Sequence, residues 1–185
     1  IGRYLVRNLT KKNYRCIIST RKAFQKGYLK TQATPGAVEL IDWNSSNFSE
    51  LKEAIKNSDI VINLIGILYE TRKQKFYNIH SGIPEAVSKI CSESDVKKFI
   101  HISAIGARET SRSLYQKSKH QGEVKALNNF KNTVIIRPSV VCGTEDNFTN
   151  LFSKLSFLPV IPVVGINYKF QPILVTDVVD AIVGA

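Results

Sequence analysis

The stretch Asp59-Ile60-Val61-Ile62-Asn63-Leu64-Ile65-Gly66 decides the fold. It is a nearly continuous apolar run of strand length closing on a small residue, the pattern of a strand buried on both faces. Upstream, Asn47-Phe48-Ser49-Glu50 offers an N-cap with a Glu three residues on, opening an amphipathic helix to Lys56, and 37–41 reads as a further strand. Before that, 15–19 is a short β-type run, and residues 1–9 place apolar side chains at 1, 5, 6 and 9, which is helical spacing.

Downstream the alternation continues. Residues 77–91 read as a helix despite Pro84, 98–104 as a strand, 113–127 as a helix, and 133–137 as a strand stopped by Pro138. A helix is expected over 147–158 and another from Asp177 onward, capped by Asp177 with Thr176. Apolar strands alternating with helices predict an α/β fold with a parallel sheet covered on both faces, whose ligand sits at the carboxyl ends of the strands.

The totals fit a domain with one sizeable core: 185 residues, 43% hydrophobic and 22% charged. They exclude intrinsic disorder and collagen-like repeats. No run approaches the roughly 18 apolar residues of a membrane helix. Cys16, Cys91 and Cys142 are few and widely spaced, and His80, His101 and His120 show no metal-ligand spacing, so no metal site is expected. His101, inside a strand, reads as a core histidine. The sequence contains no Met and begins on Ile1-Gly2-Arg3, and it stops at Ala185 inside an apolar run, so we expect a fragment of a longer protein.

The formal charge of +11 is unevenly spread. Residues 1–38 carry nine Lys and Arg and no acid, whereas the remainder is nearly balanced. Such a block attracts the phosphates of a polymer, an anionic membrane or a nucleotide, and equally serves as a solvated face. Nucleic acid is the remote reading, because no recognition motif accompanies the basic residues.

The residues able to carry chemistry lie near the strand ends. Tyr115 and Lys119 are four apart and share one helix face, where an ammonium is expected to lower the phenol pKa for proton transfer. Ser103, at the end of the preceding strand, could meet the phenol over one substrate. As a bare pattern the Tyr–Lys pair is weak, and an exposed lysine beside a half-buried tyrosine is its bland alternative.

Gly2 at a helix start, a strand ending at Arg21, Asp42 after the following strand, Asn63-Leu64-Ile65-Gly66, Ser103, Tyr115 with Lys119, and Arg137-Pro138 stand in a definite order. That order resembles the extended and atypical short-chain dehydrogenase/reductases, the NAD-dependent epimerase/dehydratase-like family. Within it, the stretches 61–66, 98–103, 115–123 and 136–143 are similar to the NADPH-binding accessory subunits of respiratory complex I and their bacterial relatives.

The resemblance implies a Rossmann-like doubly wound sheet that lacks its first strand and most of the Gly-rich turn, Gly2 alone remaining from that turn. It implies a single truncated NAD(P)-binding domain over 1–185, with 147–185 opening a smaller substrate-side region. The implied cofactor-binding residues are Gly2, Arg21, Asp42, Leu64, Ile65, Gly66, Ser103, Tyr115, Lys119 and Pro138; Tyr115, Lys119 and Ser103 would be catalytic if the protein turns over. Arg21, with no acid before Glu39, favours NADP(H) over NAD(H). The nucleotide would be mainly structural, the alternative being an active reductase or epimerase. Implied partners are complex I subunits or the inner-membrane surface, in a bacterial cytoplasm or on the matrix side of the mitochondrial inner membrane.

Overall fold

The computed structural model describes residues 1–43, 48–155 and 169–185. Its strands are β1 (Cys16–Thr20), β2 (Val38–Asp42), β3 (Ile60–Asn63), β4 (Lys98–Ile102), β5 (Thr133–Ile136), β6 (Val141–Cys142) and β7 (Ile173–Leu174). The helices are α1 (Gly2–Lys11), α2 (Ser49–Lys56), α3 (Ile83–Ser92), α4 (Leu114–Asn129), α5 (Asn147–Leu155) and α6 (Val175–Gly184). Every strand pairing is parallel: β1 with β2, β3 with β4 and β4 with β5, plus a short β6–β7 pair.

The strands alternate their side chains between two helical layers, as period 2 requires. From β4, Phe99 joins a core with Leu51 and Ile55 of α2, Ile83, Val87 and Ile90 of α3, and Ala126 of α4. Ile100 and Ile102 point the other way, against Leu5 of α1 and Val178, Val179 and Ile182 of α6. Helices therefore cover both faces, and the doubly wound parallel architecture expected from the sequence is the one observed.

The sheet comes in two parts. Among the described residues, β1–β2 and β3–β4–β5 share no hydrogen bond. α1 spans the two parts: Leu5 packs with β3 and β4, Val6 with Cys16 and Val38. This corrects the reading of 59–66 as a strand buried on both faces. β3 covers only Ile60–Asn63, Ile60 is 46% exposed, and Val61 and Ile62 are half-buried, because among the described residues β3 pairs on one side only. The strand that is buried, from Phe99 to Ile102, is β4.

Other expectations shift locally. Residues 77–91 are not one α-helix: Tyr77–Gly82 is a π-turn that runs straight into α3 at Ile83, and Pro84 in the first turn of α3 lacks the N–H that a continuous α-helical ladder would use. α6 begins at Val175 with Leu174 at the N-cap and no side-chain cap, so Asp177 lies in the first turn, favourable to the helix dipole, and does not cap. α5 is observed to Leu155, and the remainder of 147–158, like the Asn47 cap, lies outside the described residues. A 3₁₀ segment, Ala23–Gln32, was not read from sequence.

Candidate dinucleotide site at the strand ends

The site forms where β3, β4 and β5 end. Lys119, one turn beyond Tyr115 on α4, is 4% exposed and donates from Nζ to the Ile102 carbonyl at 3.1 Å. Gly66 lies beside it: a Cβ there would stand 3.2 Å from Lys119 Nζ and 3.7 Å from His80 Nε2. A side chain at position 66 would crowd the ammonium. Leu64 reaches the helix that opens the chain, its Cδ1 3.5 Å from where a Gly2 Cβ would be. Ser103 N donates to the Ile136 carbonyl at 2.8 Å, and Ile105 N to the Pro138 carbonyl at 2.9 Å, tying the ends of β4 and β5 together. Gly2, Leu64, Ile65, Gly66, Ser103, Tyr115, Lys119 and Pro138 are thus held on one connected framework.

Arg21 and Asp42 sit apart, at the ends of β1 and β2. Asp42 Oδ1 accepts from Lys22 N at 2.8 Å, and Lys22 adopts a left-handed backbone at φ 55°. The carboxylate fixes the turn that carries Arg21 into solvent.

A histidine that spacing did not single out organises the centre. Ile67 N donates to His80 Nε2 at 3.0 Å, which leaves Nδ1 to carry the proton and donate to Ser118 Oγ at 2.9 Å. Ser118 in turn donates to the Tyr115 carbonyl at 2.8 Å. The His80 ring meets Tyr115 edge-on at 5.2 Å and stacks with Phe76. Burial, aided by the Lys119 charge, lowers the His80 pKa to about 4, so the ring stays neutral. His80 reaches α4 because Gly122 has no side chain: a Cβ there would lie 1.9 Å from the His80 carbonyl oxygen. A glycine inside a helical stretch was the one legible hint of this approach.

His101 is a core histidine, as read. Opposite it in register, Asn63 uses Oδ1 to accept from Ile65 N and Nδ2 to donate to His101 Nδ1 at 3.1 Å. The proton then lies on Nε2, which has no partner among the described residues. Burial, together with the charge on Lys119, holds its pKa near 3. At the end of α4's buried face, Glu123 receives Arg137 Nε at 2.8 Å, clamping β5 to the helix.

The electrostatics correct one expectation. Burial raises the Tyr115 pKa, and Lys119, lowered to about 8 by burial against the pull of Glu123, directs its ammonium to a backbone carbonyl and not to the phenol. Sharing a helix face is insufficient to lower a tyrosine pKa when the ammonium finds another acceptor. Among the described residues Ser103 Oγ is buried without a partner, so a hydroxyl at the tip of β4 remains free for a ligand.

These features fit a dinucleotide. Ile1 at the N-cap of α1 supplies no side-chain cap and the first turn has no acid, leaving the backbone N–H groups next to Gly2 for phosphate oxygens. Ser103 and Lys119 offer a hydroxyl and an ammonium beside a small Gly66. Among the described residues no group of three or more His, Cys, Asp or Glu side chains could hold a metal, and no helix is long and apolar enough to cross a membrane.

Comparison with known proteins agrees. The model of the NAD(P)H-binding family matches residues 1–141. The mitochondrial NADH dehydrogenase [ubiquinone] 1 alpha subcomplex subunit 9 of Mus musculus is 33% identical over 188 residues, covering 100% of this chain and 50% of its own. The NADH-ubiquinone oxidoreductase 40 kDa subunit of Neurospora crassa is 30% identical over 182 residues, covering 98% of this chain and 48% of its own. The chain therefore spans about half the length of these curated relatives. The crystal structure of UDP-glucuronic acid 4-epimerase from Bacillus cereus, with UDP-glucuronic acid and NAD, superposes with a TM-score of 0.74 over 99% of this chain and 68% of that one, at 19% identity. Parallel sheet, strand-end site and matched family model together show that this chain belongs to the NAD(P)H-binding family, close to the complex I alpha subcomplex subunit 9 proteins.

Proposed function

We propose that the chain is the nucleotide-holding part of a complex I accessory-type subunit, with NADP(H) bound mainly as a structural element. The observation that carries this is the Tyr115–Lys119 geometry. A phenol whose pKa is raised by burial, beside an ammonium committed to the Ile102 carbonyl, holds its proton at neutral pH and is poorly placed to exchange it. Gly2 with the first-turn N–H groups of α1 would hold the pyrophosphate. Asp42 would steady the adenosine end through the turn at Lys22, and Leu64, Ile65, Gly66 and Pro138 would line the path to the nicotinamide. Lys119 and Tyr115 would bind its ribose, with Ser103 facing the ring. Residues 147–185 would open a substrate-side region.

Arg21 supports NADP(H) over NAD(H). It is exposed beyond β1 with no acid nearby in sequence, suited to a 2′-phosphate. Partners would be complex I subunits at the inner membrane, as the names of the mitochondrial relatives suggest.

The test uses full-length protein. NADPH should co-purify or bind without steady consumption, and Tyr115→Phe should weaken its retention only a few-fold, the loss of one ribose hydrogen bond. Arg21→Ala should weaken NADPH about tenfold to a hundredfold while sparing NADH, the loss expected for a charge-assisted phosphate contact. Equal effects on both nucleotides would reject the 2′-phosphate assignment.

A second reading rests on Ser103 Oγ, buried and unpartnered at the β4 tip. In an active reductase or epimerase, Ser103 would hydrogen-bond the substrate oxygen, Tyr115 would pass it a proton, and Lys119 would hold the ribose. The bound nicotinamide would supply or accept hydride. Steady NADPH consumption abolished by Tyr115→Phe would establish this reading over the structural one.

A further inference from the structure

A cavity of about 460 Å³ opens on the outer side of α1, lined by Arg3, Tyr4, Arg7, Lys11, Gln32 and Glu145. Arg3, Arg7 and Lys11 recur every fourth residue, so α1 presents three cations along one face. Arg3 is already occupied: it pairs with Glu145, and its guanidinium lies 4.7 Å from the Tyr28 ring centroid. Arg7 and Lys11 are exposed and form no ion pair among the described residues. Among the described residues Glu145 is the only acid in the lining, and its charge is met by Arg3. Gln32 comes from the end of the 3₁₀ segment, which carries Lys26 and Lys30 outside the lining and no acid.

Two like charges left unpaired on one face, inside a concavity, repel one another unless an anion lies between them. The distance along the helix separates this place from the dinucleotide. Arg7 and Lys11 stand about 7 and 13 Å from Gly2, beyond the first turn that serves the pyrophosphate.

We propose that the α1 cavity is a second anion site, taking a phosphate group between Arg7 and Lys11, with Gln32 hydrogen-bonding its oxygens and Arg3, locked by Glu145, forming the inner wall. The concavity is open and roomier than one phosphate, which leaves space for the rest of a phosphate ester. A free phosphorylated metabolite and a phospholipid headgroup present the same chemistry.

The experiment measures full-length protein against the variant carrying Arg7→Glu and Lys11→Glu. Inorganic pyrophosphate is titrated by calorimetry into protein saturated with NADPH, so that the place next to Gly2 is already filled, and phosphatidylcholine vesicles with or without phosphatidylglycerol are used in flotation. We expect at least one anionic probe to bind the unchanged protein and to lose about tenfold or more in the double variant, with NADPH affinity the same in both. Pyrophosphate binding alone identifies a soluble ester; flotation with the anionic vesicles alone identifies a lipid headgroup. The proposal is overturned if neither probe binds, if the double variant binds as well as the parent, or if both probes are outcompeted by an RNA oligomer bound with steep salt dependence. Loss of NADPH affinity in the variant would also overturn it, by merging this cavity with the dinucleotide site.

Discussion

At Lys119 a charge is held out of water, 4% exposed and hydrogen-bonded to the Ile102 carbonyl. Burial lowers its pKa from about 10.5 to about 8, so between those values the unfolded chain holds a proton that the folded chain has released. Stability therefore rises with pH through that window, by on the order of 3 kcal/mol in full. The histidines act at the other end. His80 and His101 stay neutral down to about 4 and about 3, whereas the unfolded chain protonates them near 6.5, so stability is lost as pH falls from about 6.5. Thermal denaturation from pH 3 to 10 should show both limbs. Lys119→Met should remove the rising contribution between pH 8 and 10 and raise Tm at pH 7 while weakening dinucleotide retention; the buried Cys91 thiol, pushed up to about 12, opposes that rise equally in both proteins, so a parent-minus-variant difference flat between pH 8 and 10 would contradict the buried-charge account. At this scale the sequence showed Tyr115, Lys119 and Ser103 as candidates. It did not show that the ammonium would choose a carbonyl, because that depends on where Ile102 ends relative to α4.

Among the elements, the joint between the π-turn and α4 is the least forgiving. Gly122→Ala would place a methyl 1.9 Å from the His80 carbonyl oxygen, a clash with backbone that side-chain rotation cannot relieve. The helix and the π-turn would have to separate, breaking the His80–Ser118 bond. We expect a loss of about 3 kcal/mol or more, hence a Tm lower by roughly 6 to 12 °C. Gly27→Ala, with nothing within 4 Å of its Cβ, is the control and should shift Tm little. A Gly122→Ala protein as stable as the control would show that the two elements are not packed this closely. The helical spacing of 77–91 was legible, but its first turn was not: a π-turn is set by what it packs against, here a glycine forty residues later.

Over the whole molecule, the two sheet parts differ in support. β4 is paired on both sides and buried on both faces, whereas β1, which lies in the segment 1–38 with nine cations and no acid, pairs among the described residues with β2 alone. In the chain of residues 1–185, amide exchange should be slowest in β4 and at least about tenfold faster in β1 and β2, since local opening follows contact density and self-repulsion. Uniform protection across both parts would mean that α1 couples them more tightly than its packing suggests. The charge distribution itself was legible at once, since it needs only counting. Its division between the Arg21 turn and the α1 cavity required the helix register and the position of Glu145.

The amino-acid order alone determined the α/β class, the succession of parallel strands and the strand ends that carry the candidate site, because apolar periodicity and turn residues are local properties of the chain. It also marked Gly66, Ser103, Tyr115 and Lys119 as candidates. The tertiary structure alone decided which strand is fully buried, how His80 and His101 are protonated, and that Lys119 serves a carbonyl instead of the phenol. Those outcomes depend on burial and on hydrogen-bond partners distant in sequence. No local pattern encodes them, since the same residues in the same order would titrate differently if α4 lay one turn along.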